Sequence, residues 1–229
     1  VKIGIIAAMP GELKALVRHV PKLPVVRGSG IAMWEWERGE LEVVAVCAGM
    51  GAAAARRAFT AAEYTGSLDE VLSIGWAGAL TEAAKVGECY IPAEVIDAQT
   101  GERFELGSDG ERCVTIVHVA DAAEKRRLAE TYGAKLVDME AATVARLAQM
   151  RGIPMRCFKA VSDGVDADLP DLNPYIDEMG KLRMAGFLGA VALRPQSWGA
   201  LLQLGRNSSK AANALAEVVG AYLETMSNE

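Results

Sequence analysis

At 229 residues, 51% of them hydrophobic, the chain has ample apolar material for a buried core, and one α/β domain is a more economical reading than two. Its 24 basic and 30 acidic residues leave a net charge of −6 without a run of five like charges, which argues against a nucleic-acid binder. Cys47, Cys89, Cys113 and Cys157 lack CxxC spacing and His19 and His118 are isolated, so neither a metal site nor a disulfide framework is expected, only buried reduced thiols.

Lys2 to Ala8 reads as a wholly apolar strand of a mainly parallel sheet, buried on both faces. The opening VKIGIIAAMP is too short, and too soon followed by Glu12, for a signal peptide. Met9-Pro10-Gly11-Glu12 turns that strand into a helix carrying Leu13, Leu16, Val17 and Val20. The turn lacks GxGxxG, which excludes a dinucleotide fingerprint. Taken alone, Glu12 is an acid in a helix first turn, where the macrodipole favours it.

IAMWEWER and LEVVAVCAG flank Gly39-Glu40 as a hairpin, and the second strand runs into Gly49-Met50-Gly51 and an alanine-rich helix, Ala52 to Tyr64. That turn can bring backbone N–H groups to an anion or a sugar, but it lacks the GK[ST] of a phosphate loop. Glu70 to Ile74 is a strand ending in Gly75-Trp76-Ala77-Gly78-Ala79, small residues that a ligand or another backbone can approach closely. Trp76 among them either plugs the core or walls a pocket. CYIPAEVID is read as one strand, Thr100 to Gly110 as a loop, Val114 to Val119 as a strand and Ala122 to Tyr132 as a charged surface helix.

The stretch from Lys135 to Asp166 organises the rest. LVDMEAATVARLAQ is a short apolar run that turns helical, with Asp138 as N-cap and Glu140 in the first turn. Gly152-Ile153-Pro154 ends the helix, and MRCFKAVSD is a strand that leaves Asp163 at its carboxyl end, where open α/β sheets place ligands. Helices follow from about Ile176 to Leu193 and from Trp198 to Leu223, separated at Pro195, with Gly205-Arg206-Asn207 as a candidate second break. Met184 to Leu193 is apolar for about half a bilayer span, so no membrane span is expected and the cytoplasm is the default location. The interleaved pattern is a single α/β domain over 1–229, a three-layer α/β/α arrangement with a mixed, largely parallel sheet and a C-terminal helical extension from about 176.

KIGIIAAM with Glu12, Gly49-Met50-Gly51, Gly75-Trp76-Ala77-Gly78, Val86-Gly87, Asp138-Met139-Glu140-Ala141 and Ala160-Val161-Ser162-Asp163 together resemble the purine nucleoside phosphorylase and nucleosidase superfamily, most of all its methylthioadenosine/S-adenosylhomocysteine nucleosidase branch. The resemblance implies cleavage of a purine N-glycosidic bond without metal or organic cofactor. It makes Asp163 the acid that protonates the leaving base, a role that calls for a carboxyl held protonated by desolvation or a neighbouring charge. Glu140 would accept hydrogen bonds from ribose and stabilise a cationic sugar, and Glu12 would be general base on the attacking water. Met9, Met50, Trp76, Ala77, Gly78, Met139 and Ser162 would line the substrate site.

Hydrolysis is the expected activity, with phosphorolysis and a catalytically silent nucleoside-binding domain as the alternatives. Arg56 and Arg57 near the first glycine loop are the cations phosphorolysis would use, whereas Glu12 would repel phosphate. The chain departs from the nucleosidases at Pro10-Gly11, Asp138 and Ala79, and it is shorter between Asp97 and Lys135, which implies a more open base pocket. Its tail, LRPQSWGALLQLGRNSSKAANAL, resembles that of hopanoid-associated phosphorylases, which implies a bulky apolar 5′ substituent as the alternative substrate. The partner is a small-molecule nucleoside, and a homodimer is expected, with Met33, Trp34 and Trp36 as either interface or core.

Overall fold

Strand β1 (Lys2–Ala7), buried from Ile3 onward, is the axis on which the sheet is laid down. The computed structural model describes residues 1–25, 28–167, 171–183, 186–187 and 198–227. On one side β1 pairs in parallel with β3 (Leu41–Cys47), which forms the expected antiparallel hairpin with β2 (Ala32–Arg38). On the other side it pairs in parallel with the first half of β4 (Glu70–Ala79). The opposite edge of β4 carries β10 (Met155–Asp163), also parallel. Gly78 and Ala79, beyond the reach of β1, pair antiparallel with β9 (Leu136–Asp138). From β9 the sheet continues through β8 (Arg112–Thr115) and β6 (Glu94–Asp97) to β7 (Arg103–Glu105), while β5 (Cys89–Tyr90) adds to β10.

One sheet face is covered by α2 (Ala52–Glu63) and α4 (Ala141–Arg151), whose alanines allow close approach to Val44, Val46 and Val71. The other is covered by the single turn α1 (Pro10–Leu13) and by α5 (Trp198–Met226), whose stripe Ala211, Leu215, Val219 and Leu223 is buried against Ile3, Leu72 and Phe158. A third cluster under α3 (Ala122–Tyr132) joins Leu128 to Ile96, Val114 and Val137. This is the expected three-layer arrangement around a mixed sheet.

Several elements differ from the sequence expectation, each for a physical reason. The run Gly75–Ala79 is not a loop after a strand but the end of β4 itself, kept small because neighbouring strands and Glu12 crowd it. The first helix stops after one turn, yet Leu13 and Val17 are buried as planned. CYIPAEVID divides at Pro92, which has no N–H for a ladder, and the polar stretch 100–110 contains β7. The strand read as Val114 to Val119 ends at Thr115. Ile176 and Leu182 meet in an isolated β-bridge where a helix was expected, and the rest of that segment lies largely outside the described residues. Helix α5 runs uninterrupted through Gly205, because the apolar stripe it buries outweighs a glycine cost of about 1 kcal/mol.

Trp34 is buried, and Met33 and Trp36 pack against the two main clusters, so the hairpin residues belong to the core. All four cysteines are free; Cys47, Cys113 and Cys157 are buried and Cys89 is partly so. Among the described residues no helix is long and apolar enough to cross a membrane.

Candidate active site

At the carboxyl ends of β1, β4 and β10 the sheet opens into a cavity of about 540 Å³. All of the residues expected to be catalytic or to line the substrate site line it: Asp163, Glu12 and Glu140, with Met9, Met50, Trp76, Ala77, Gly78, Met139 and Ser162. Its outer wall is apolar, built from Leu172, Leu182, Phe187, Leu201 and Leu204.

Glu12 is 3% exposed and its carboxylate is held by backbone alone. Oε2 accepts from Ala8 N at 2.8 Å and Met9 N at 2.9 Å, and Oε1 accepts from Trp76 N at 2.9 Å. Burial pushes its pKa up, and the Trp76, Met9 and Ala8 N–H groups together with the Lys159 charge pull the other way. Gly75 leaves room for it, since a Cβ there would lie 2.9 Å from Oε1. Trp76 is half-buried against the α5 side of the core while it lines the cavity, so the two readings of this residue are both realised. Its indole N–H is buried without a hydrogen-bond partner among the described residues.

Glu140 stands at the N-cap position of α4, one residue before the expected first turn, and its Oε1 accepts from Gly51 N at 2.6 Å. The capping itself is done by Asp138, whose Oδ2 accepts from Ala141 N at 2.8 Å. Thr115 Oγ1 donates to Asp138 Oδ1 at 2.6 Å, and Lys159 Nζ lies 2.8 Å from Oδ2. Lys159 is 1% exposed, and although burial opposes its charge, Asp138 and the other nearby acids keep its pKa raised. Sequence reading passed over this lysine, which directly precedes the Ala160–Asp163 motif, because its partner Asp138 lies on another strand.

Burial, with Asp138 next and Glu12 adding to it, raises the Glu140 pKa from 4.5 to about 8. The folded protein therefore keeps a proton on Glu140 that the unfolded chain releases, and stability falls as pH climbs from about 4.5 to about 8. Glu140→Gln removes that dependence. Its melting temperature should exceed wild type by about 2–4 °C or more near pH 9, with a smaller gap near pH 6, in paired calorimetric scans. A gap independent of pH would contradict this assignment.

Asp163 owes its placement to a bulge. Val161 pairs with Ala77 and Asp163 with Gly78, so Ser162 is the extra residue that turns the carboxylate into the cavity. Ser162 Oγ donates to Asp163 Oδ1 at 2.7 Å, and Lys125 Nζ donates to Oδ2 and, at 2.8 Å, to Gly164 O. Of the two environments expected for this carboxyl, desolvation or a neighbouring charge, the structure supplies a neighbouring charge, the Lys125 ammonium. Lys125 belongs to α3, expected as a surface helix, yet it is 2% exposed. With His118, Val119 and Ala120, all from the short segment between Asp97 and Lys135, it lines the cavity.

The first glycine loop is fully engaged. Gly49 N donates to Ala8 O at 2.9 Å, Met50 N to Gly180 O at 2.7 Å, and Gly51 N to Glu140. Gly49 has φ +112° and a Cβ on it would lie 2.6 Å from Met179 O, so only glycine fits there. Arg57 Nη2 donates to Ala48 O at 2.8 Å and Met179 O at 2.7 Å, which ties the loop to the 177–180 turn, and Arg56 is exposed. Neither arginine lines the cavity. Among the described residues no cluster of His, Cys, Asp and Glu could hold a metal ion.

Known proteins share this fold. A 5′-methylthioadenosine/S-adenosylhomocysteine nucleosidase of Shewanella pealeana is 23% identical over 216 residues, covering 78% of this chain and 94% of that protein. The 5′-methylthioadenosine nucleosidase of Arabidopsis thaliana superposes with a TM-score of 0.76 at 17% identity, over 98% of this chain and 95% of that one. The futalosine hydrolase of Helicobacter pylori gives 0.72 at 16% identity, over 98% and 97%. The family described as the phosphorylase superfamily matches residues 2–121 and 113–186, most of the chain, and this protein belongs to it.

Proposed function

We propose that this protein hydrolyses the N-glycosidic bond of a purine nucleoside, adenine being the base, with a modified 5′ position. The observation that carries the reading is the state of the loop a phosphate would need. Every N–H of Gly49-Met50-Gly51 already has an acceptor, Arg57 is bonded to Ala48 O and Met179 O, Arg56 does not line the cavity, and Glu12 does. A dianion there would meet repulsion from Glu12 and no free N–H in the Gly49–Gly51 loop. Water needs only a base, and Glu12 Oε1 keeps acceptor capacity beyond the Trp76 N–H.

In this reading Glu140 accepts from the ribose hydroxyls and, ionised, stabilises the oxocarbenium-like sugar, while Met139 packs against the ring. Asp163 protonates the five-membered ring of the base as the bond stretches, worth about 10²–10⁴ in rate. The apolar outer wall suits an apolar 5′ group, which a free ribose would leave in contact with nothing. The named activities of the relatives, nucleosidases and a hydrolase, support the same choice. A cytoplasmic location, supported by the free cysteines, and a homodimer belong to this proposal too.

The test is adenine release from methylthioadenosine and adenosine, with and without phosphate, beside Asp163→Asn. Release is expected without phosphate, faster for methylthioadenosine, and reduced at least about 10²-fold in the variant. Release that requires phosphate would replace this reading with phosphorolysis. A protein that binds these nucleosides but releases nothing would be the silent binding domain.

A further inference from the structure

Behind the carboxylate assigned as acid stands a second proton carrier. Lys125 reaches from α3 through an apolar gap to Asp163 Oδ2, and it is as buried as the core leucines. The gap exists because position 78 is glycine. A Cβ there would lie 3.1 Å from each of Asp163 Oδ2, Lys125 Cε and Val137 Cγ1, so the fold has made room for this pair at the end of β4. Nζ has two acceptors, Asp163 Oδ2 and Gly164 O, and both lie in the segment that carries the acid. The pair lines the cavity next to Ser162.

A carboxylate bonded to an ammonium has no proton of its own to give, yet the leaving base needs one. We infer that Lys125 is the proton reservoir for Asp163: the ammonium supplies, through the carboxylate, the proton that the departing base receives. This rests on the reading of Asp163 as the acid. As the C1′–N9 bond breaks, its electron pair stays on the base and the ring nitrogen N7 takes a proton from Asp163. Oδ2 takes one from Lys125 Nζ in the same step, which leaves a neutral amine and an unchanged carboxylate. Water adds to C1′ and gives its proton to Glu12. Solvent then recharges Lys125 as Glu12 releases a proton, so the net reaction is hydrolysis alone. A lysine can perform this cycle because an ammonium surrenders its proton in the accessible range, whereas a guanidinium does not.

The surroundings leave the pair to itself. Beside it β4 contributes Gly78 and β9 contributes Val137, neither of which titrates. Of the other charged groups on these segments, Asp138 is bonded to Lys159, Glu124 to His118 and Arg127, and Asp166 to Arg126.

The experiment measures kcat and KM against pH for wild type, Lys125→Met, Lys125→Arg and Asp163→Asn, with folding of each checked by thermal melting. Lys125→Met leaves a buried carboxylate without a counter-charge, a state that favours its own protonation at low pH. Its kcat is expected to fall about 10²-fold or more at about pH 8 and to recover toward wild type near about pH 5.5, with KM changed little. Lys125→Arg, which keeps the charge but not the exchangeable proton, should stay impaired throughout. A Lys125→Met enzyme as fast as wild type at about pH 8, or slowed by one factor at every pH, would overturn the inference, as would full rescue by arginine. Wild type that releases no base from any nucleoside would instead sink the functional reading beneath it, which separates the two failures.

Discussion

Glu12→Gln should lower kcat by at least about 10²-fold and weaken the fold at the same time. The carboxylate accepts three backbone N–H groups, from Ala8, Met9 and Trp76. An amide has one acceptor atom. If its oxygen takes the Ala8 and Met9 donors, its NH₂ faces the Trp76 N–H, donor against donor, at a buried position. Leaving that N–H unsatisfied costs about 1–3 kcal/mol. The catalytic loss is separable from this, because it has a pH signature. Burial raises the pKa of Glu12, and only the ionised form can take a proton from water. Wild-type kcat/KM should therefore rise with pH as Glu12 and Glu140 deprotonate, and the Glu12 contribution to that acid limb should vanish in the variant, leaving the Glu140 one at about 8. A limb in Glu12→Gln identical to that of wild type would assign all of it to Glu140 and leave Glu12 a purely structural cap. Steady-state kinetics over a pH series, with melting curves alongside, checks both halves.

How much of this was legible in the sequence depends on range. Local patterns carried well: the Gly39-Glu40 hairpin, the alanine-rich α2, α3 from Ala122 to Tyr132, and the strand that delivers Asp163 all lie where periodicity and turn residues put them. The cavity-lining set was legible because a family resemblance tied together short motifs that no single periodicity joins. What stayed hidden is long-range and polar. Nothing local marks Ser162 as a bulge residue, since the bulge is defined by its register against Ala77 and Gly78 on β4. Lys125 reads as one charge among several on a polar helix, and only the tertiary fold reveals it as the one turned inward. Gly180, whose carbonyl occupies Met50 N, lies some 130 residues from its partner in sequence and gives no signal there. Hydrolysis could be favoured from sequence through Glu12, whereas the occupation of the loop donors that argues further for water, such as Met50 N by Gly180 O, could not be seen there.

The second large effect is expected at a residue that does not line the cavity. Lys159→Met removes the cation from a buried pair and leaves Asp138 with only the Thr115 hydroxyl and backbone N–H donors. An uncompensated buried charge of this kind costs about 3–5 kcal/mol, which should appear as a loss of about 10 °C or more in melting temperature. Adding Asp138→Asn should restore a substantial part of it, because the double variant buries no net charge, and the size of the recovery measures the coupling. Full additivity of the two single losses would show that the pair is not the unit described here. The same substitution should reach the chemistry. Lys159 lowers the pKa of both Glu12 and Glu140, and it is the cation that both carboxylates have in common. Without it each holds its proton to higher pH, and the acid limb of kcat/KM should move upward. One buried lysine thus sets the start of α4 through Asp138 and keeps two cavity carboxylates ionisable, which is why a core strand carries a charge at that position at all.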